Sequence, residues 1–259
     1  MRKLAKRFIT SPQGGIARST TELVTIALLS AQPGHRMKSY GPTPLLQLGN
    51  ETVLDRQIAS IKSVFGNFEL IICVGFGSEK VIKFIKEKYS KENIRVVENQ
   101  VHHHSNCCES ARLCLNNTAN NKILLCNGDL LIESDLLSSL PTNRSYVVLE
   151  EKASPSLDVG VTINERGHIE NLCFGLEKIW SELTFLDTVG TIETFRKIIS
   201  LPDYKTKFIF EALNELGKTS HKVGFFINTY SPLVKIDNIK TYHKVRRSYE
   251  GTYTKLRNA

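Results

Sequence analysis

Four short apolar runs decide what this chain can fold into: Leu23–Leu29, Leu70–Val74 (LIICV), Ile94–Val97 and Lys122–Cys126 (KILLC). Each is too short for a buried helix; Leu70–Val74 is continuously apolar, as suits a buried parallel strand, and the others read as its neighbours, Ile94–Val97 carrying one charge at Arg95. Segments of helical periodicity separate them. Thr52–Phe65 puts Val53, Leu54, Ile58, Ile61 and Phe65 on one face, with Gly66 as its stop. Ser78–Tyr89 repeats the pattern with Val81, Ile82 and Ile85, and Cys107–Leu115 and Asp135–Leu140 continue it. Such alternation implies a parallel sheet with helices on both faces. Ligands in that architecture bind outside the carboxyl ends of the strands. Four loops leave those ends and should face one crevice: Ser30 to Leu46, Gly75-Phe76-Gly77, the His/Asn loop Glu98 to Ser110, and Asn127-Gly128-Asp129.

From Tyr146 onward the texture changes. Strands are expected at Tyr146–Glu150, Asp158–Ile163, His168–Cys173, a short Leu183–Asp187, Lys222–Asn228 and Leu233–Asp237, with a turn at Asn164–Gly167. Helices are expected at Thr191–Ile199 and Phe208–Leu216. This mixed α+β half should cover the crevice and return to the sheet. With no internal repeat or low-complexity linker, the expectation is one domain over 22–245. A basic, disordered arm (1–21) would precede it and a basic tail (246–259) would follow.

The formal charge of +8 belongs to those ends. Arg2, Lys3, Lys6, Arg7 and Arg18 face no acid in 1–21, and Lys240, Lys244, Arg246, Arg247, Lys255 and Arg257 face Glu250 alone. The body between them is slightly acidic, so nucleic acid is not the expected partner and the ends read as solvated. No apolar run approaches the roughly 20 residues that span a bilayer, and the arm lacks the apolar region of a secretory signal, although its acid-free Ser/Thr content is faintly like that of a transit peptide. Cys73, Cys107, Cys108, Cys114, Cys126 and Cys173 lack the spacing of a disulfide framework and read as reduced thiols of a cytoplasmic protein.

The stretch Ile26–Leu46 carries the most chemistry. An apolar strand empties into a Gly/Pro loop with a cationic cluster, His35, Arg36 and Lys38, as at the start of a nucleotide-binding α/β domain. Leu29-Ser30-Ala31-Gln32-Pro33-Gly34-His35-Arg36-Met37 and Gly41-Pro42-Thr43-Pro44-Leu45-Leu46 resemble the LAAGxGxRM and TPKPLL signature of the nucleotidyltransferases that make NDP-sugars and CDP-alcohols. Ser105-Asn106 through Ser110-Ala111 resembles the (T/S)NNxxSLxxA stretch of the phosphocholine cytidylyltransferase branch. Gly128-Asp129-Leu130 resembles its GD(L/V) motif, and Val234-Lys235-Ile236-Asp237 its terminal (V/E)xID strand. Four motifs in the right order, over about residues 23–245, are specific together although weak singly.

The resemblance implies a Rossmann-like, GT-A type α/β fold with a mostly parallel sheet. It also implies transfer of NMP from an NTP (CTP, or UTP/dTTP) to a phosphorylated acceptor: a sugar 1-phosphate, phosphocholine or a phosphonate. The acceptor oxygen is already ionised near neutral pH, so the site needs no general base; it must hold two anions in line and neutralise the leaving group. By resemblance, Asp129 and Asp237 hold Mg²⁺. Ser30, Ala31, Gln32, Gly34 and Thr43 cradle the triphosphate with Gly75 and Gly128, and Arg36 neutralises its β/γ end. Asn106 and Ser110 either contact nucleotide or acceptor or serve as helix caps. Asp237 alone also suits an ordinary turn aspartate.

Two residues depart from the signature. Gln32 stands for its first glycine and brings a side chain toward the phosphate path. Thr43 stands for the lysine between the prolines and supplies no charge, a loss on the order of several kcal/mol of transition-state stabilisation; Lys38 is the candidate substitute. A slow or altered enzyme and a catalytically inactive nucleotide or sugar-phosphate binder both follow, with a homodimer open in either case. A glycosyltransferase using a ready-made NDP-sugar is the third reading; Gly128-Asp129-Leu130-Leu131 lacks the DxD-type motif it would want. His102-His103-His104 near Cys107-Cys108 fits no common zinc spacing, and reads as a solvated loop lining the acceptor pocket.

Overall fold

The first apolar run forms strand β1, Val24–Ser30, buried along its whole length in the computed structural model, which describes residues 22–34, 37–150, 159–231 and 233–257. Two tiny strands, β2 (Gln47–Leu48) and β3 (Glu51–Thr52), lead into helix α1 (Val53–Val64). Strand β4 (Phe68–Val74), helix α2 (Ser78–Lys88), strand β5 (Ile94–Glu98), helix α3 (Cys107–Leu115) and strand β6 (Lys122–Asn127) follow. β4 and β6 both pair parallel with β1, and β5 with β4, giving the order β5-β4-β1-β6. The chain therefore winds out to β5 and returns to the other side of β1. That reversal opens the crevice between the carboxyl ends of β1 and β6.

Why these strands read as unbroken apolar runs is visible in the packing. Along β1, Val24, Ile26 and Leu28 face one core with Leu54, Ile58 and Ile61 of α1 and Val81 and Ile85 of α2. Ala27, Leu29 and Ala31 face another with Cys108, Ala111 and Cys114 of α3. Both faces of the sheet are covered at β1, so both of its side-chain parities are buried.

β6 continues into β7 (Leu130–Leu131) and helix α4 (Ser134–Ser139). The second half contributes β8 (Tyr146–Glu150), β9 (Val159–Ile163), β10 (Ile169–Phe174), β11 (Lys178–Asp187), α5 (Val189–Ile199), α6 (Ile209–Lys218), β12 (Gly224–Asn228), β13 (Val234–Lys235) and α7 (Ile239–Arg257). It does return to the sheet. β11 runs antiparallel between β6 and β8, and β12 lies parallel to β8. β9 and β10 form a hairpin joined to the start of β11, and α5 and α6 thicken the core on the α3 side.

Three differences from expectation have physical reasons. β11 is ten residues long rather than the five of Leu183–Asp187, because a bulge at its middle lets Ile179-Trp180 pair with β8 before the apolar half begins. β2, β3 and β7 are two-residue ladders, too short to carry a period. The expected boundary at 245 falls inside α7, which continues to Arg257; Tyr242 and Val245 join Met37, Leu46, Leu48, Leu131 and Ile236 in a third small core, with Tyr249 against it. The arm 1–21 lies outside the described residues.

Candidate active site

The site is assembled around the junction of β1, β6 and the turn that follows. Gly128 sits there because nothing larger fits: a Cβ on it would lie 1.8 Å from Ser30 Oγ and 2.7 Å from Ser30 Cβ. Its N–H donates to Leu29 O at 3.0 Å. Buried Gln57 of α1 fastens the same turn from behind, its Nε2 donating to Leu130 O at 2.7 Å and Gly128 O at 3.2 Å. The turn is thus rigid before any ligand arrives, which site chemistry of this kind requires.

Asp129 follows directly. Although the residue keeps some exposed surface, its Oδ1 is shielded and accepts no hydrogen bond. The short β7·β13 ladder brings the end of the chain alongside: Lys235 pairs with Leu130, and Ile236 N donates to Asp129 O at 2.8 Å. Asp237 lies one residue further on and Glu182 approaches from β11. Lys235 Nζ donates to Glu182 Oε1, and Asn127 Nδ2 to Glu182 Oε2. Asp237 Oδ1 accepts from Asn238 Nδ2 at 2.6 Å. Burial, opposed by Lys235 and reinforced by Glu182 and Asp237, pushes the Asp129 carboxyl up to about 7. Desolvation works against the Lys235 ammonium, but Glu182, Asp129 and Asp237 outweigh it and hold its pKa above the ordinary value.

Three carboxylates facing one ammonium leave a corner that wants more positive charge. Among the described residues no three His, Cys, Asp or Glu side chains converge to cage a metal by themselves. Mg²⁺ does not need such a cage: it takes one or two carboxylates and completes its shell with water and substrate phosphates. The unpartnered Oδ1 of Asp129, aimed into an acidic corner, fits that ion.

The opening loop forms the facing wall. Ala31 is buried and its carbonyl accepts from Phe76 N at 2.9 Å. Gly75 is wedged between Ala31 O and the His102 ring, which a Cβ would approach to 2.7 and 2.8 Å. Gly34 O accepts from Met37 N at 3.0 Å. Gln32 does not hang into the crevice: its Nε2 donates to His102 O at 2.6 Å and to Ser105 O at 2.9 Å, tying the opening loop to the trihistidine loop. Lys38 is exposed in a 3-10 turn, Lys38–Tyr40, and lies near enough to His103 to help lower that imidazole's pKa, after the larger effects of neighbouring His102 and desolvation. Thr43 is buried, at 4% exposure. Arg36 lies outside the described residues.

Asn106 and Ser110 take structural posts. Asn106 caps α3, its Oδ1 accepting from Cys107 N at 2.9 Å. Ser110 is buried behind the loop and accepts from Asn99 Nδ2 at 3.3 Å. The histidines form a 3-10 turn, His102–His104, with the His102 and His103 rings 3.9 Å apart and His102 Nδ1 3.1 Å from Asn99 O. The sequence-derived set omits Glu182, Lys235, Asn127 and Gln57. Lys235 was signalled by its place two residues before Asp237; the other three reach the site only through tertiary contacts.

Comparison with solved structures finds the same fold. Among solved structures the fold resembles CTP:phosphocholine cytidylyltransferase from Streptococcus pneumoniae, with 20% identity, TM-score 0.65, and coverage of 87% of this chain and 98% of that one. It also resembles the inositol-1-phosphate CTP transferase from T. maritima (16%, TM-score 0.68, 88% and 96%) and a putative glucose-1-phosphate thymidylyltransferase from Bacillus anthracis (10%, TM-score 0.70, 88% and 95%). A search of curated protein sequences finds no match. Residues 26–188, from within β1 to just past β11, match the model of the MobA-like NTP transferase domain; the chain belongs to the MobA-like NTP transferase domain family.

Proposed function

We propose that this chain transfers a nucleoside monophosphate from CTP, or from UTP or dTTP, to a phosphorylated small-molecule acceptor with release of pyrophosphate. The acceptor classes are a sugar 1-phosphate, phosphocholine or a phosphonate. The observation that carries the reading is the acidic corner. Asp129 and Asp237, far apart in sequence, meet across the β7·β13 ladder at the strand end where the sheet order reverses. Solved structures that share the fold include a CTP:phosphocholine cytidylyltransferase, an inositol-1-phosphate CTP transferase and a putative glucose-1-phosphate thymidylyltransferase.

Asp129 and Asp237 would hold Mg²⁺, which when bound supplies positive charge to the triphosphate and screens the leaving pyrophosphate. The chain's own residues do the rest. The backbone from Ser30 to Gly34 lies along the triphosphate, and Gly128 and Gly75 let backbone approach without obstruction. Arg36 and Lys38 supply charge from the opening loop. An ionised acceptor oxygen attacks the α-phosphorus; the new O–P bond forms as the bond to the bridging oxygen breaks and its electron pair departs with pyrophosphate. No proton moves.

The test is pyrophosphate release from purified protein with CTP, UTP and dTTP against a panel of such acceptors. Turnover with one pair, abolished by EDTA and restored by Mg²⁺, is expected. Absence of turnover that Thr43→Lys does not restore would sink the enzyme reading. One observation favours the rival, a non-catalytic nucleotide or sugar-phosphate binder: position 43 is buried and uncharged. Thermal stabilisation by CTP or UTP without turnover would select it.

A further inference from the structure

Lys235 stands where a missing charge is needed. The opening wall supplies no cation at position 43, because Thr43 is buried and neutral. On the opposite wall, β13 presents an ammonium in the acidic corner, half-shielded, with its side chain 37% exposed. Its position is fixed at both ends. The β7·β13 pairing sets the backbone, with Lys235 opposite Leu130, and Glu182 holds the Nζ while Asn127 holds Glu182. An ammonium carries three donors, and among the described residues Glu182 is the one hydrogen-bond acceptor Lys235 has. Glu182 is itself held in a backbone state that non-glycine residues seldom adopt, φ 62, while its carboxylate reaches Lys235.

We infer that Lys235 is the cation that contacts the phosphoryl group being transferred, doing from β13 what the lysine of the opening signature does from the loop. Its free donors point charge at the non-bridging oxygens of the α-phosphate, whose negative charge grows as the acceptor oxygen bonds to phosphorus and pyrophosphate leaves. Glu182 and Asn127 are positioning residues for it. The inference rests on the nucleotidyltransferase reading, since it needs a phosphoryl group to move.

Lys235→Gln, Lys235→Arg and the double variant Lys235→Gln/Thr43→Lys test it against the unaltered chain. Pyrophosphate release, nucleotide affinity by calorimetry and thermal denaturation are measured on each. Expected for Lys235→Gln is a fall of about 100- to 1,000-fold in kcat, the size found when one preorganised donor to a developing oxyanion is lost. Nucleotide Kd should change far less than kcat, and the fall in Tm from losing the ammonium among the carboxylates should be a small fraction of that effect and be shared by Lys235→Gln/Thr43→Lys. Lys235→Arg should keep part of the rate, and Thr43→Lys should recover at least about tenfold in the Gln background. Undiminished kcat in Lys235→Gln overturns the inference while leaving the enzyme reading intact. So does parallel loss of nucleotide binding and Tm, which would make Lys235 only a counter-ion for the carboxylates. If the unaltered chain turns over no pair, the enzyme reading fails first and takes this one with it.

Discussion

Asp129 carries an unpaired Oδ1 because β6 and β7 lead it into a corner already occupied by Glu182 and Asp237. Its carboxyl is pushed from an ordinary 3.8 up to about 7. Between those values the folded chain keeps a proton that the unfolded chain has released, so stability declines as pH rises from about 4 to 7. Asp129→Asn removes the titrating group. In EDTA it should raise Tm by a few degrees at pH 7.5 and flatten the loss between pH 5 and 7.5, while pyrophosphate release drops at least about 100-fold. Thermal denaturation at both pH values checks it; equal slopes for the two proteins would refute the account. At this scale the place of Asp129 was legible, since an aspartate after an apolar strand and a glycine lies at the strand's carboxyl end. Its partners were not. Glu182 sits in a strand with no outward mark, and Gln57 reads as one more polar position on α1.

The helices and strands through β6 were legible because each buries a full face and so repeats its period. Elements that work by single contacts were not. α7 is the instructive case. Ile239, Tyr242, Val245 and Tyr249 recur at three- and four-residue intervals, yet the surrounding Lys and Arg suggested a solvated tail. The helix is a clamp on the opening loop. Tyr242 is buried, its OH donating to Gln47 O at 3.1 Å and its ring edge-on to Tyr40, 5.6 Å between centroids. Tyr40 OH lies 3.2 Å from His243 Nε2. Arg56 of α1 stacks over the Tyr249 ring at 4.8 Å. Tyr242→Ala should therefore cost about 3–5 kcal/mol, as removal of a buried aromatic side chain does, and raise KM for the nucleotide by loosening the loop. Denaturant midpoints and initial rates on one preparation measure both. A loss of only a few tenths of a kcal/mol in unfolding free energy would mean that the helix adds little.

For the molecule as a whole, the alternation of apolar runs was enough to anticipate the parallel sheet and helices on both of its faces. The departures at Gln32 and Thr43 were equally visible, but their meaning was not. Gln32 turns aside to bond the trihistidine loop, a path no local rule predicts. The sheet changes partners at β11. Its first half pairs with β8 and β9, and its second is inserted between β6 and β8. Glu182, at φ 62, is the hinge between the halves, so one kink sets both the sheet's register and the place of a carboxylate. Under the proposed reaction, folding and turnover therefore pull against each other at a single residue. Glycine adopts that backbone without penalty, and Glu182→Gly should leave the unfolding free energy unchanged or about 1 kcal/mol higher while lowering turnover. Chemical denaturation alongside the pyrophosphate assay would show it; a variant that loses both together would mean the carboxylate, not the backbone, sustains the bend. Selection for robustness alone would have replaced this glutamate, and an acid held in a glycine's conformation marks a place where this fold gives up stability.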